Sequence, residues 1–197
     1  MPRGKLKIIQ KFPPMKALVD LLKKIDTANK KILEIGCSSG YYSEVFNKAD
    51  FNFIYEGCDY SEEFIKLAKE RYPSINFKVG DATNLDYKDN QFDIVISGCC
   101  ILHIIDYQTA IKEAARVAKN YIIFHRTPII HRKKTTYTTK TAYGTKMIEI
   151  FFNEEELLNL LSKSNLAVLN INTHSSFIVD DLDETVFMKS YLCKKIN

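Results

Sequence analysis

A turn with two glycines is the first segment whose residue types suit ligand binding. The stretch "KKILEIGCSSGYYSEVF" runs from an apolar segment through Gly36 and Gly40 into an amphipathic one. Where a strand ends and a helix begins, free backbone N–H groups and small residues let a nucleotide-like ligand approach the main chain. A dinucleotide fingerprint would also need glycine in place of Ser38 and Tyr41, so the spacing argues against a dehydrogenase.

The elements that would position this turn follow from the hydrophobic pattern. Short apolar segments predict buried strands at Lys31 to Ile35, Phe53 to Cys58, Ile75 to Val79, Phe92 to Ser97 and Tyr121 to Phe124. Amphipathic segments between them predict helices at Pro14 to Ala28, Tyr41 to Lys48, Ser61 to Tyr72 and Tyr107 to Ala118.

The last third of the chain has a different pattern. Asn153 to Ser164 predicts a capped helix, and Ala167 to Thr173 and Thr185 to Lys194 predict two strands joined by an acidic loop. The whole pattern predicts an α/β fold, with a doubly wound, mostly parallel seven-stranded sheet and an antiparallel C-terminal strand pair.

Together with three later segments, the glycine turn resembles the class I S-adenosylmethionine-dependent methyltransferases, particularly their small-molecule branch. These segments are "YEGCDYSEEFIKLAKERYP", "FKVGDATNLDYKDNQFDIVISGCCILHI" and the continuation "IDYQTAIKEAARVAKNYIIF". The resemblance covers about residues 30 to 127. It implies a Rossmann-like methyltransferase fold and S-adenosyl-L-methionine as the cofactor.

The resemblance also implies which residues lie near the cofactor. The residues expected at its methionine end are Glu34, Gly36, Cys37, Ser38 and Gly40. Ser97, at the end of the fourth strand, would face the cofactor as well.

Two acids follow the second and third strands. Asp59 could accept hydrogen bonds from both ribose hydroxyls, and the resemblance makes Tyr60 a wall of the adenine site. Asp81 could accept from the adenine amino group while the Ala82 N–H meets a ring nitrogen. Taken alone, Asp59 suits a helix cap, and Gly80-Asp81-Ala82 suits an ordinary turn. Their order along the chain favours the ligand role.

Methyl transfer needs few catalytic groups, because the methyl group of the cofactor is already activated on a sulfonium. A base helps only when the acceptor must lose a proton. His103, which follows the fourth strand, is the candidate base, and the alternative is a histidine that only forms hydrogen bonds. His125 and Arg126 end the fifth strand, where they would contact substrate or lie in a solvated loop.

The vicinal pair Cys99 and Cys100 lacks the prolyl-cysteine context of cytosine C5 methyltransferases, so core packing is the favoured interpretation. The Asn/Asp-Pro-Pro-aromatic signature of amino-directed nucleic-acid methyltransferases is absent as well. Nucleic-acid bases are therefore disfavoured as acceptors.

A basic segment follows the fifth strand. Residues 128–150 hold five cationic side chains against one acid, Glu149. This segment could be a lid that contributes Tyr137, Tyr143 and basic groups to an anionic acceptor. A solvated, mobile loop is the alternative interpretation.

Composition limits the broad class of protein. At 197 residues, with 46% hydrophobic and 26% charged residues, the chain suits a single domain, 1–197, with residues 1–29 as an N-terminal helical cap. Five cysteines without a C-x-x-C pair suit neither a disulfide framework nor a zinc site, and no metal is expected. The start lacks a signal-peptide pattern and no long apolar stretch follows, so we expect a soluble, cytoplasmic protein.

These observations predict a methyltransferase that acts by in-line displacement on a small-molecule or glycan-like acceptor. The net charge of +4 permits an anionic acceptor without requiring one. Two alternatives stay open, a non-catalytic cofactor-binding partner or regulatory protein, and an RNA methyltransferase suggested only by the basic segment. The sequence leaves the acceptor atom and the oligomeric state open.

Overall fold

The computed structural model describes residues 12–142 and 144–196. Its helices are α1 (Pro13–Leu22), α2 (Tyr41–Lys48), α3 (Glu62–Arg71), α4 (Tyr107–Val117) and α5 (Glu154–Lys163). Its strands are β1 (Lys31–Ile35), β2 (Ile54–Asp59), β3 (Asn76–Val79), β4 (Phe92–Gly98), β5 (Ala118–Ile130), β6 (Thr136–Ala142), β7 (Thr145–Asn153), β8 (Leu166–Val179) and β9 (Glu184–Lys195). Residues 1–11 of the expected N-terminal cap and Tyr143 lie outside the described residues.

The strands form the predicted kind of sheet. Five strands pair in parallel in the order β3-β2-β1-β4-β5, and β9 joins β5 in the antiparallel direction with β8 beyond it. The doubly wound, mostly parallel arrangement and the antiparallel C-terminal pair are confirmed, but β6 and β7 extend the sheet to nine strands instead of the predicted seven. Among the described residues, no helix is both long and apolar enough to cross a bilayer.

The register brings the carboxyl ends of the parallel strands to the same level. Ile35 pairs with Cys58 on β2 and with Ser97 on β4. Further out, Asp59 pairs with Val79 on β3. The residues that follow these strands therefore share one edge of the sheet, which is where open α/β sheets bind ligands.

Both faces of the sheet are buried, which explains why the strands are apolar without alternation. Leu33 and Val95 point into a core shared with α4 and α5. Their neighbours Ile32 and Ile94 point the other way, into a core shared with α1 and α2. Successive side chains of a strand face opposite sides, so each strand contributes to both cores.

The basic segment is more ordered than a solvated loop. Residues 136–153 form the hairpin β6–β7, and the end of β5 pairs in parallel with the end of β7. The buried carboxylate of Glu184 accepts hydrogen bonds from the backbone N–H groups of His131 and Arg132, at 2.6 and 2.7 Å. The loop interpretation was therefore wrong, because threonines and an aromatic residue favour strand pairing despite the intervening lysines.

Several element boundaries also differ from the predicted ones. The first helix ends at Leu22 rather than Ala28, because the Asp26 side chain accepts a hydrogen bond from the Ala28 N–H and forms a turn instead. β5 and β8 are longer than predicted. Both strands continue through polar residues, where the hydrophobic pattern alone predicts that a strand ends.

The turn before α2 generates a stability prediction. Gly40 has φ +80°, and a Cβ there would lie 2.7 Å from Cζ of Phe77. Backbone strain of about 1–2 kcal/mol and overpacking of about 1–3 kcal/mol should lower the free energy of unfolding of Gly40→Ala by roughly 2–5 kcal/mol. Urea unfolding measures this loss.

Gly80→Ala is the matched control, because its Cβ would lie 3.4 Å from the nearest atom, the Cβ of Cys58. We expect a loss of about 0.5 kcal/mol or less for that variant. Equal losses in the two alanine variants would contradict the strain at Gly40.

Candidate functional site

The glycine turn is tied to the neighbouring strand tip. The N–H groups of Gly36 and Cys37 both donate to the carbonyl oxygen of Cys58, at 2.8 and 3.0 Å. Gly36, Ser38 and Gly40 all have positive φ angles. The chain thus makes a sharp, left-handed turn between β1 and α2 while it remains bonded to β2.

One side of this turn is closely packed. A Cβ at Gly36 would lie 2.7 Å from both Cβ and Sγ of Cys100. Burial is the largest cause that raises the pKa of the Cys100 thiol, and the same holds for Cys99. Neither thiol is therefore favoured to ionise to a thiolate. This agrees with core packing rather than with nucleophilic catalysis.

Asp59 connects the turn to the next helix. Its side chain is 7% exposed, and its two oxygens accept hydrogen bonds from the N–H groups of Ser38 (2.8 Å) and Ser61 (3.0 Å). A carboxylate offers about four lone-pair sites, so two sites remain for further donors. The cap of this helix is Ser61, whose hydroxyl accepts from the Phe64 N–H, so the cap interpretation of Asp59 was wrong.

The third strand tip lies against the second. The N–H of Gly80 donates to the carbonyl oxygen of Asp59 at 2.9 Å. Asp81 is exposed and accepts two hydrogen bonds from Thr83, from its N–H and its hydroxyl, both at 2.8 Å. Tyr60 is 81% exposed beside these residues in the chain. The tips that carry Gly36, Asp59 and Asp81 are thus adjacent, as the sequence predicted.

Glu34 is an ionisable group beneath the turn. It is 2% exposed and accepts a hydrogen bond from the hydroxyl of Tyr55. Burial raises the pKa of Glu34 to about 8, an effect that the Tyr55 hydrogen bond opposes and the charge of Asp59 increases. Glu34 is therefore largely protonated at neutral pH.

Ser97 and Gly98 end β4 beside Glu34. A Cβ at Gly98 would lie 3.0 Å from a carboxylate oxygen of Glu34 and 2.8 Å from the ring of Tyr42. The Ser97 hydroxyl is buried and has no hydrogen-bond partner within the described part of the chain. It is thus a polar atom placed at the strand tips with unused bonding capacity.

His103 lies in a 3-10 turn after β4, and its position is compatible with a base. Its Nδ1 is 2.7 Å from the carbonyl oxygen of Ile148 on β7. Because a carbonyl only accepts, Nδ1 carries the hydrogen and Nε2 has the free lone pair. Burial is the main reason that the pKa of His103 is lowered, so the ring is neutral near pH 7.

The remaining predicted substrate residues occupy different places. His125 is fully buried at the end of the segment of β5 that pairs with β4. Arg126 follows it with φ +59°, and its side chain lies near the hydroxyl of Tyr42. Tyr137 lies on β6, half exposed, near Tyr107 at the start of α4.

Sequence reasoning missed two residues that the fold brings to this region. Tyr42 packs its ring 5.8 Å from that of His125, and His174 on β8 lies 5.8 Å from the same ring. The aromatic doublet after Gly40 was a usable signal for Tyr42. His174 had no such signal, because its position depends on pairing between distant strands.

A family model described as a methyltransferase domain matches residues 33–124. Demethylmenaquinone methyltransferase of Paenarthrobacter aurescens (strain TC1) is 33% identical over 90 residues, 46% of this chain and 35% of the relative. Phthiotriol/phenolphthiotriol dimycocerosates methyltransferase of Mycobacterium tuberculosis is 33% identical over 76 residues, 38% of this chain and 28% of the relative. The chain spans about a third of the length of these curated relatives.

Solved structures share the fold over most of the chain. A SAM-dependent methyltransferase from Methanosarcina mazei superposes with a TM-score of 0.70 at 20% identity, covering 89% of this chain and 97% of that one. An S-adenosylmethionine-dependent methyltransferase from Clostridium acetobutylicum ATCC 824 superposes with a TM-score of 0.67 at 15% identity. The match covers 96% of this chain and 92% of that one.

The matched domain and the shared fold agree with the family that the sequence resembles. Residues 33–124, somewhat less than half of the chain, match a methyltransferase domain, and most of the chain shares the fold of the solved methyltransferases. S-adenosylmethionine is the cofactor that this family implies.

The buried Glu34 generates a prediction for stability against pH. Because its pKa rises from 4.5 to about 8 on folding, its contribution is complete below about pH 4.5 and is lost as pH rises toward 8. The loss is at most about 1.4 kcal/mol per pH unit. Glu34→Gln keeps the size and the acceptor for Tyr55, so its free energy of unfolding should fall less across this range.

Urea unfolding at several pH values measures these slopes. Glu70→Gln is the matched control, because Glu70 is exposed on α3. The slope of its unfolding free energy against pH should match that of the unmodified protein. Identical slopes for Glu34→Gln and the unmodified protein would contradict a protonated, buried Glu34.

Proposed function

We propose that this protein is a cytoplasmic S-adenosylmethionine-dependent methyltransferase that transfers a methyl group to a small-molecule or glycan-like acceptor by in-line displacement. The observation that carries the proposal is the convergence of three strand tips through Asp59. This carboxylate bonds to the glycine turn and to the start of α3, and its backbone carbonyl accepts from Gly80.

The residues at these tips fit the chemistry of the cofactor. The free lone pairs of Asp59 suit the two ribose hydroxyls. The buried, unused Ser97 hydroxyl and the carboxyl of Glu34 suit the polar, cationic methionine end. Asp81 and the Ala82 N–H, at the exposed third tip, suit the adenine edge, and Tyr60 suits its face.

The methyl group of the bound cofactor is activated because it is attached to a cationic sulfonium. The chain's own task is to orient the acceptor and exclude water, which is worth roughly 7–11 kcal/mol when the reacting atoms are aligned. The carboxyl group of Glu34 and the carboxylate of Asp59 lie close enough to influence each other, which suits a cationic ligand between the tips.

His103 is proposed as the base for an acceptor that must lose a proton. Its Nδ1–H is held by the Ile148 carbonyl, so Nε2 can take the proton. The bond to β7 also links the position of His103 to the hairpin. We propose that residues 128–150 act as a lid over the acceptor, with Tyr137 and Tyr143 contributing contacts.

A small-molecule acceptor is supported by the curated relatives, whose names describe methyltransferases acting on demethylmenaquinone and on phthiotriol or phenolphthiotriol dimycocerosates. His125 and Arg126, at the end of β5, are proposed to contact the acceptor. A sugar-linked or anionic acceptor is proposed from the basic segment.

The ribose role of Asp59 is tested by calorimetry with S-adenosylmethionine and S-adenosylhomocysteine. Asp59→Asn should weaken the binding of both ligands by about 1.5–3 kcal/mol, the range for hydrogen bonds to charged groups. The reason is that an amide nitrogen cannot accept a hydrogen bond from a ribose hydroxyl. Asp50→Asn, in the turn after α2, is the control and should bind like the unmodified protein. Unchanged affinity in Asp59→Asn would exclude the ribose role, and binding without methyl transfer to broad acceptor pools would favour a non-catalytic protein.

Proton release on cofactor binding tests the role of Glu34. A cation beside a carboxyl whose pKa lies at about 8 favours its ionisation, so binding must release a proton near neutral pH. We expect S-adenosylmethionine affinity to rise with pH up to about 8 and then level off. Calorimetry in buffers of different ionisation enthalpy counts the protons.

Two controls interpret this measurement. Glu34→Gln should bind without pH dependence in this range. S-adenosylhomocysteine, which lacks the sulfonium charge, should release less of a proton. Equal release for both ligands, or release that survives in Glu34→Gln, would refute the proposed contact.

A further inference from the structure

A β-bulge places two residues of β5 opposite one residue of β9. Pairing runs regularly up to Phe124 and resumes at Thr127, so His125 and Arg126 together oppose Ser190. Arg126 takes φ +59°, a conformation that costs a non-glycine residue roughly 1 kcal/mol or more. Bulges are frequent beside active sites, where they redirect side chains.

A second bulge lies at the same level on the other side of β9. Pairing between β8 and β9 shifts between Thr173 and Ser175, which leaves His174 as the extra residue. The rings of His174 and His125 are 5.8 Å apart and tilted by 45°. Two independent irregularities of the sheet therefore bring two histidines together.

Each histidine has a buried ring nitrogen with unused bonding capacity. His125 is 1% exposed, and the Nε2 atoms of both His125 and His174 are buried without a hydrogen-bond partner in residues 12–142 and 144–196. A buried ring nitrogen left unpaired costs free energy comparable to a lost hydrogen bond. Such atoms call for a partner that the protein itself does not supply.

The serine contacts are compatible with Nε2 as the donor atom of each ring. Nδ1 of His125 lies 2.7 Å from the hydroxyl of Ser190, which also accepts from the Arg126 N–H at 3.5 Å. When the Ser190 hydroxyl donates to Nδ1, the hydrogen of the neutral ring is on Nε2. Nδ1 of His174 has a longer contact, 3.4 Å from the hydroxyl of Ser175.

The charges around the two rings favour a negative ligand. Burial lowers the pKa of His125 well below its usual value and that of His174 to about 4, so both rings are neutral. The charge of Arg126 adds to the lowering in both, so its guanidinium is close to both histidines. Two neutral N–H donors beside a permanent cation form a site for an anionic oxygen.

We propose that His125, His174 and Arg126 form the subsite that holds an anionic oxygen of the methyl acceptor, such as a phenolate, enolate or carboxylate group. This inference rests on the proposed function, because it takes the ligand of the subsite to be the acceptor. It adds His174, which no sequence motif indicates, and it defines the acceptor's chemistry.

The subsite lies next to the strand tips, and two of its three residues are partly exposed. Tyr42 lies between them, with its ring against Gly98 on one side and 5.8 Å from the His125 ring on the other. His174 and Arg126 are half-buried, whereas His125 is fully buried. An acceptor would therefore meet the outer two residues first and direct its oxygen toward the inner histidine.

The test uses 4-nitrophenol as the probe, because its phenolate is coloured and its ionisation can be followed by absorbance. Binding should increase the phenolate fraction at fixed pH. His174→Phe keeps a ring but removes the donor, and it should weaken phenolate binding about tenfold or more. His174→Gln keeps an N–H donor and should restore part of the affinity.

Three controls accompany these variants. His131→Gln replaces a histidine outside the cluster and should bind the probe normally. Arg126→Gln should weaken phenolate binding while leaving binding of uncharged benzyl alcohol unchanged. Nitrogen NMR of the imidazole rings should show hydrogen on Nε2 of His125 and His174, and both signals should move when the probe is added.

S-adenosylhomocysteine calorimetry on each variant separates this inference from the proposed function. Loss of probe binding in His174→Phe with retained S-adenosylhomocysteine binding supports the subsite. If the unmodified protein binds S-adenosylhomocysteine but not the phenolate, or if all variants bind the probe equally, the subsite is refuted while the proposed function stands. If S-adenosylhomocysteine does not bind, the proposed function fails, and the link to a methyl acceptor fails with it.

Discussion

The hydrogen bond from the Ser38 N–H to the Asp59 carboxylate is the interaction on which the site depends. Ser38 adopts φ +49°, a left-handed conformation that costs a residue with a side chain roughly 1–2 kcal/mol. A hydrogen bond to a charged group contributes about 1.5–3 kcal/mol, enough to offset that strain. The same carboxylate also bonds to Ser61, so one side chain fixes the glycine turn and the start of α3 together.

This arrangement brings two carboxyl groups into a poorly hydrated space, with different hydrogen-bond partners. Asp59 accepts hydrogen bonds from two backbone N–H groups. Glu34 has the Tyr55 hydroxyl as its hydrogen-bond donor, and burial raises its pKa to about 8. A buried acid of this kind adds little to the stability of a fold, but it is useful in a site that binds a cation. Perturbed groups of this sort concentrate at functional sites.

The sequence was sufficient for the parallel half of the sheet, because each strand there is a short apolar run and each tip carries a glycine or an acid. It was insufficient for the antiparallel half. The two bulges at Arg126 and His174 depend on how β5 and β8 each pair with β9, and no local pattern specifies that register. The hairpin was hidden as well, because its lysines resemble those of a solvated segment.

The same division separates cofactor chemistry from acceptor chemistry. The methyltransferase domain model matches residues 33–124, which include the three strand tips and end immediately before His125. The histidine pair, Arg126 and the hairpin all lie beyond that match. Similarity to named relatives therefore bears on how the cofactor is held, whereas the acceptor must be inferred from this chain's own residues. A pair of buried N–H donors beside Arg126 is a more specific constraint on that acceptor than any relative's name, because it selects for charge and geometry at a single oxygen.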